Sequence, residues 1–251
     1  MPLKELRGLT SIVTGAAKRI GREIALELGS EGVNVVIHYS GSENDAKSLK
    51  AELEAKGVKA WTLQADFSRG GYDGFIERAL GLAGKADILV NNASVFPRNT
   101  LDEITFEGLV ANIQINAWAP FVLSRDFAGL VKKGKIINML DSRLTGYDWT
   151  HVEYILSKHV FAELTKMTAV QYAPDITVNG VNPGLILPPP GKDQSYLEKL
   201  NSTVPLKKHG NPQEIAAAIL YLLKTEFLTG EVINVDGGRH IMEYGRGPHP
   251  D

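Results

Sequence analysis

Short apolar runs alternate with segments of helical length and period from one end of the chain to the other, and this alternation limits the fold more than any single motif. Leu9–Thr14, Val33–His38, Val58–Ala65, Ala86–Asn91, Lys135–Leu140, Ile176–Asn182 and Glu231–Val235 are each rich in Val, Ile and Leu. Continuous apolar runs suit parallel strands covered on both faces, whereas a strand with one wet face would alternate polar and apolar residues. Between them, Ser42–Gly57 and Val152–Tyr172 read as helices. In the first, Glu52 stands four residues before Lys56, and Gly57 sits where a helix would stop. The alternation predicts an α/β chain: one doubly wound parallel sheet of about seven strands, helices on both faces and right-handed crossovers. The 251 residues fit one such domain, residues 1–251.

Two segments depart from the rhythm. Residues 185–205, with Pro188, Pro189, Pro190 and Gly191, are too long for an ordinary connection and read as a lid. The Gly-, Pro- and His-rich end, residues 239–251, reads as a disordered tail, with a reach of Arg239, His240 and Arg246 to a neighbouring subunit's site as the alternative.

The charge balance narrows the partners. Net charge is −2 with acids and bases interspersed, so there is no basic stripe for a phosphate backbone, and nucleic-acid binding is not expected. The chain has no cysteine, which removes disulfides, thiolate catalysis and Cys-type zinc sites. No metal site is expected. The longest apolar stretch, Ala216–Leu223, is far short of a membrane span, and the N-terminus has no signal-like apolar core. The expectation is a cytoplasmic protein that does not meet the membrane.

In an open α/β sheet, ligands bind beyond the carboxyl ends of the strands. There the chain carries Thr14-Gly15-Ala16-Ala17-Lys18-Arg19-Ile20-Gly21, leading into a helix with Ile24, Ala25 and Leu28 on one face. Such a turn brings backbone N–H groups and a helix N-terminus to a pyrophosphate. The spacing is Gly-x3-Arg-x-Gly rather than G-x-G-x-x-G, so a plain tight turn stays open as an alternative. The second strand ends in Tyr39-Ser40-Gly41-Ser42, with the first acid at Glu43. Hydroxyls near Lys18 suit a 2′-phosphate better than a carboxylate would, which favours NADPH over NADH.

Tyr154 and Lys158 stand four apart on one face of a helix that follows the fifth strand. A cation about 4 Å from a phenol is worth roughly 4 kcal/mol at an effective dielectric of about 20, enough to lower the phenol by up to about 3 pH units. Tyr154 is thereby expected to be a usable acid near neutrality.

Taken in order and spacing, Thr14-Gly15-x3-Arg19-x-Gly21, Asp66, Asn91-Asn92-Ala93, Asn116, Tyr154-x3-Lys158 and Pro183-Gly184 resemble the short-chain dehydrogenase/reductase family across nearly the whole chain. The resemblance implies a Rossmann-like fold, an NADP-dependent oxidoreductase and a homotetramer built through the helices that hold Asn116 and Tyr154; in the sequence Ala117, Trp118, Phe121, Phe161 and Leu164 are candidate contacts and equally candidate core residues. It implies NADPH contacts from Gly15, Lys18, Arg19 and Ile20, from Tyr39, Ser40 and Ser42, and from Asp66 and Phe67 at the adenine. Asn92, Ala93 and Ser94, Tyr154 and Lys158, and Pro183, Gly184 and Ile186 complete that set. Asn116 is implied to hold a proton-relay water beside Lys158.

Where ketone reducers of the family carry a serine, 13 residues before the tyrosine, this chain has Asp141, followed by Ser142. An ionised carboxylate only accepts hydrogen bonds and cannot polarise a carbonyl. An acid there suits a substrate with N–H donors, or one whose ring nitrogen must be protonated as hydride arrives at the adjacent carbon. A local bulge that swaps Ser142 into the serine's place is the alternative. The same feature is similar to the pteridine reductase subgroup, as are Arg19 and Asn91-Asn92-Ala93-Ser94-Val95-Phe96. That similarity implies hydride transfer to a C=N bond of a pterin held by Arg19, Ser94 and Phe96. Asp141 would orient the ring and share in its protonation, Tyr154 would supply the proton, and Lys158 and Asn116 would connect it to solvent. Phe96 as a simple core or lid aromatic, Ser94 as an ordinary loop residue and Arg19 serving the 2′-phosphate alone remain open. So do an NADPH-dependent ketone reductase (3-oxoacyl, sugar or steroid) and a non-catalytic NADP-binding protein.

Overall fold

Successive residues of a strand leave the sheet on opposite faces, and in this chain both faces are apolar. The computed structural model describes residues 5–189 and 191–242. Its seven strands are β1 (Thr10–Val13), β2 (Asn34–Tyr39), β3 (Ala60–Gln64), β4 (Ile88–Asn91), β5 (Gly134–Met139), β6 (Ile176–Pro183) and β7 (Val232–Val235). All pair in parallel in the order β3-β2-β1-β4-β5-β6-β7. Val13, Val35, Ile37, Val90 and Ile137 enter one core layer, while Ile12, Val36, Leu89 and Ile136 enter the other. This division explains why the strands read as unbroken apolar runs.

The first layer is closed by α1 (Arg19–Ser30), α2 (Glu43–Ala55) and α8 (Pro212–Lys224), through Ile24 and Leu28, Leu49 and Leu53, and Ile215 and Ile219. The second is closed by α3 (Phe75–Ala83), α5 (Ala119–Val131) and α6 (Val152–Gln171), through Phe75 and Ile76, Leu123 and Phe127, and Ala169. A shorter helix, α4 (Phe106–Ile113), runs through a π-helical turn at Gln114–Trp118 into α5.

The expected helix over Ser42–Gly57 forms as α2, but its charge pairing differs. Glu52 takes Arg22 of α1 at 2.6 Å, and Lys56 donates to Ser30. A neighbouring helix outcompetes the i,i+4 partner. Of the residues put forward as subunit contacts, Ala117 and Phe161 are core, Phe121 and Leu164 are half-buried, and Trp118 is exposed. Residues 185–205 contain α7 (Gln194–Leu200), and Leu185, Leu197 and Val204 pack on one another. The start of the expected tail is folded back: Asp236 accepts from the Gly238 and His240 N–H groups, and the His240 carbonyl accepts from Thr145 Oγ1 at 2.7 Å. Arg246 lies outside the described residues. Among the described residues no helix is long and apolar enough to cross a membrane.

Candidate active site

β1 sits between β2 and β4, so the chain's direction of winding reverses there and leaves a crevice at the carboxyl ends of the strands. A cleft of about 970 Å³ opens at that place. Its floor is the turn from β1 into α1. Gly15 takes φ +61° there, and its N–H donates to His38 Nδ1 at 3.0 Å. Thr14 Oγ1 accepts from the Asn92 and Ala93 N–H groups, and Asn92 Nδ2 donates to the Thr14 and Gly15 carbonyls. A Cβ on Gly21 would lie 2.3 Å from the Gly15 carbonyl oxygen and 2.5 Å from Asn92 Nδ2. Only glycine lets the helix start this close to the turn, and that closeness suits the approach of a dinucleotide's phosphates.

Of the implied cofactor contacts, Gly15, Lys18, Arg19, Ile20, Asn92, Ala93, Ser94, Tyr154, Lys158, Pro183, Gly184 and Ile186 line this cleft. Tyr39, Ser40, Ser42, Asp66 and Phe67 do not; Tyr39 ends β2, and the others follow β2 and β3. Phe67 is turned into the core, stacked on His38 at 4.3 Å, so its ring is no wall of a binding site. Asp66 accepts from the Ser68 hydroxyl and N–H, which hold its carboxyl below the usual range. Lys18 pairs with Asp45 of α2 at 3.0 Å, an exposed pair that a phosphate can exchange at little cost. Arg19, a non-glycine residue at φ +58°, sends its guanidinium to the Pro188 carbonyl at 2.8 Å. Thus it ties the turn to the 185–205 segment.

The opposite wall holds the reactive groups. The Tyr154 hydroxyl donates to Asp141 Oδ2 at 2.8 Å. Arg143 grips the same carboxylate: its backbone N–H and Nε reach Oδ1 at 2.8 and 3.0 Å, and Nη2 reaches Oδ2 at 2.8 Å. The roughly four acceptor positions of the carboxylate are therefore all in use. Arg143 Nη1 bonds Asp148, which also accepts from Thr150 and the His151 N–H. His151 stacks on Phe96, with ring centres 3.9 Å apart and planes at 13°. Phe96 stands edge-on to Tyr154 at 4.6 Å, and the Arg143 guanidinium lies 5.1 Å from the Phe96 ring centre.

These contacts set the charges. Burial pushes the Asp141 carboxyl up, but the charge and hydrogen bonds of Arg143, with the Tyr154 hydroxyl, outweigh it and hold the group below the usual carboxylate range. Burial likewise pushes the Asp148 carboxyl up, but the His151 hydrogen bond, the Arg143 charge and the Thr150 N–H outweigh it and hold this group below the usual range too. The Tyr154 phenol moves upward, from burial first and the Asp141 charge second. This reverses the expectation that Lys158 lowers it. Lys158 Nζ is 5.7 Å from the Tyr154 ring centre and donates to the Met139 carbonyl at 2.7 Å, and burial brings its own pKa down to about 8.

The Asn116 side chain is already committed. Oδ1 accepts from Ser94 Oγ and the Val95 N–H, and Nδ2 donates to the Val95 carbonyl and Ser157 Oγ. It braces the loop after β4 against α6, and no side-chain group is spare for a water beside Lys158. Ser142 is 1% exposed, does not line the cleft and has no hydrogen-bond partner for its hydroxyl among the described residues. No bulge exchanges it with Asp141. Arg143, Asp148 and His151 were missed from sequence; an arginine two residues after Asp141 was the available signal.

Residues 15–240 match the family model described as enoyl-(acyl carrier protein) reductase. The chain belongs to the short-chain dehydrogenase/reductase family. As a member, it is an NAD(P)-dependent oxidoreductase with a Rossmann-like fold. It is 31% identical over 241 residues to the 3-oxoacyl-[acyl-carrier-protein] reductase FabG of Staphylococcus epidermidis, covering 92% of this chain and 99% of that one. It is 32% identical over 274 residues to pteridine reductase 1 of Leishmania tarentolae, covering 91% and 95%. Among solved structures, FolM alternative dihydrofolate reductase 1 from Brucella canis, complexed with NADP, superposes with a TM-score of 0.91 at 27% identity, covering 96% of this chain and 98% of that one.

Proposed function

We propose that this short-chain dehydrogenase/reductase is an NADPH-dependent reductase of the C=N bond of a pterin. The observation that carries the reading is the 2.8 Å bond from the Tyr154 hydroxyl to Asp141, with Ser142 buried outside the cleft. A ketone reductase needs a hydroxyl donor beside its tyrosine, and here an acceptor stands instead. The likeness to pteridine reductase 1 and to the NADP-bound FolM structure supports the same reading.

The crowded Gly15–Gly21 turn, the N-terminus of α1 and the absence of a carboxylate in Tyr39–Ser42 fit NADPH. When bound, the reduced nicotinamide supplies a hydride. The chain's own part follows from the hydrogen bonds. A substrate N–H reaches Asp141 by displacing the Tyr154 hydroxyl, because the other acceptor positions belong to Arg143. The released phenol then turns its proton to the substrate nitrogen. Being neutral at pH ~7, it is a donor from the outset. The nearby Lys158 ammonium favours the phenolate that proton transfer leaves. Arg19 and Ser94 bound the ring's edge, and the Phe96 face not covered by His151 is the surface for offset stacking.

The 3-oxoacyl reductase relatives support a second reading, reduction of a ketone. Purified chain with NADPH, offered dihydrobiopterin and a 3-oxoacyl thioester separately, distinguishes them by NADPH consumption. Turnover of the pterin is expected; turnover of the thioester alone overturns the proposal, and NADPH binding without either turnover favours a non-catalytic protein. We further propose a homotetramer. Leu156, Val160, Met167 and Val170 leave an exposed apolar stripe on α6 that a second copy would cover, and light scattering measures the mass.

A further inference from the structure

Arg143 is nearly enclosed, with 15% of its side chain exposed, and each of its three guanidinium nitrogens bonds a carboxylate. One edge forks onto Asp141, Nη1 meets Asp148, and the guanidinium lies 5.1 Å from the Phe96 ring centre and 5.6 Å from that of Tyr154. It therefore bonds the acceptor and lies beside the phenol and the ring that shape the cleft's reactive wall.

We propose that Arg143 is a positioning residue for the reduction: by gripping both oxygens of Asp141 it keeps that carboxylate an acceptor, aimed at Tyr154 and at a substrate N–H. The inference rests on the pterin reading for the identity of the substrate alone. Physically, a carboxyl enclosed with no cation takes up a proton, because burial disfavours its charge. A protonated Asp141 would carry a hydrogen where the structure needs a lone pair. It would then meet a substrate N–H donor to donor, and it would no longer receive the Tyr154 hydroxyl. A lysine in place of Arg143 supplies the charge but not the two-pronged grip. The other titratable groups around Asp141 are Tyr154 and Lys158 from α6 and, joined to it through Arg143, Asp148 from the preceding loop. Of these, only Lys158 brings a fixed cation without a carboxylate partner, and it bonds a backbone carbonyl instead.

The test labels the aspartate carboxyl carbons with 13C and follows Asp141, assigned by loss of its signal in Asp141→Asn. In the native chain Asp141 titrates below the usual carboxylate range. In Arg143→Met combined with Asp148→Asn, which leaves no second buried charge unpaired, its titration moves up by about 1–3 pH units. The acid limb of kcat/KM for the pterin moves with it, while NADPH binding at pH ~8, where the carboxyl is ionised in both chains, stays as in the native protein. Arg143→Lys, which keeps the charge if the double variant does not fold, titrates between the two. Titration of Asp141 at the native pH in the Met variant, a Lys value outside that interval, or an acid limb that stays put while the carboxyl moves would each overturn the proposal. Because the NMR titration needs no substrate, failure to turn over any pterin sinks the functional reading and leaves this one standing.

Discussion

His38→Phe probes how the core holds the nucleotide turn. The His38 ring is 2% exposed, stacked on Phe67 at 4.3 Å and edge-on to Phe75 at 5.2 Å. Gly15 N–H can only donate, so Nδ1 accepts it, and Nε2 carries the hydrogen given to the Ala65 carbonyl at 3.0 Å. Phenylalanine keeps a flat ring in the stack and deletes both bonds. Each buried group left unpaired costs about 1–3 kcal/mol, so the variant loses about 2–6 kcal/mol at pH ~7. Protonation is a second cost, paid only by the native chain. Burial first, opposed by the Ala65 bond and aided by Arg78, lowers the His38 pKa from 6.5 to about 4. A folded-state value below the unfolded one means stability fully present above pH 6.5 and lost as pH falls through about 4. At ~1.4 kcal/mol per pH unit, the native chain has lost on the order of 2 kcal/mol of this contribution by pH ~5. Urea unfolding of both chains at pH ~7 and ~5 reads the difference. The native advantage shrinks by about that amount on acidification, since carboxylates common to both chains cancel. NADPH binding weakens in the variant because the Gly15 N–H is no longer held. A native advantage that does not change with pH would refute the reasoning.

Gly21→Ala places a methyl 2.3 Å from a backbone oxygen that cannot rotate away. Displacing the turn breaks the Asn92 bonds and costs about 1–3 kcal/mol, and an NADPH titration shows affinity lost along with stability. Lys158→Met removes an ammonium that burial brings to about 8 from 10.5. The folded lysine gives up its proton first, so the native chain gains stability relative to the variant as pH rises through that window, and paired denaturation curves at pH ~8 and ~10 read it.

The fold was legible because each strand is covered on both faces, so β1 to β6 announced themselves as apolar runs and their observed limits fall within about two residues of the expected ones. Helix α6 was equally plain, and with it the pairing of Tyr154 and Lys158 on one face of the cleft. What sequence could not supply was the direction of hydrogen bonds. A spacing of four says that Lys158 is near Tyr154, but not that the Met139 carbonyl captures its ammonium. Likewise Asn116 stands where the family motif puts it, while a local π-helical turn and the Ser94–Val95 loop decide what its amide touches. Arg143, Asp148 and His151 converge through a short 3₁₀ turn and a loop, whose irregular backbone leaves no periodic trace. The Phe96–His151 stack, formed between residues far apart in sequence, left none either.

The central claim is that an acceptor at position 141, and not the neighbouring hydroxyl, meets the substrate beside Tyr154. Initial rates of pterin-dependent NADPH oxidation in Asp141→Asn and Ser142→Ala test it most directly. The asparagine variant is expected to lose about 10²-fold or more in kcat/KM, the scale of a lost catalytic proton contact, and the alanine variant to keep a rate within about threefold of native. The reverse ranking, with Ser142→Ala crippled and Asp141→Asn active, would contradict it.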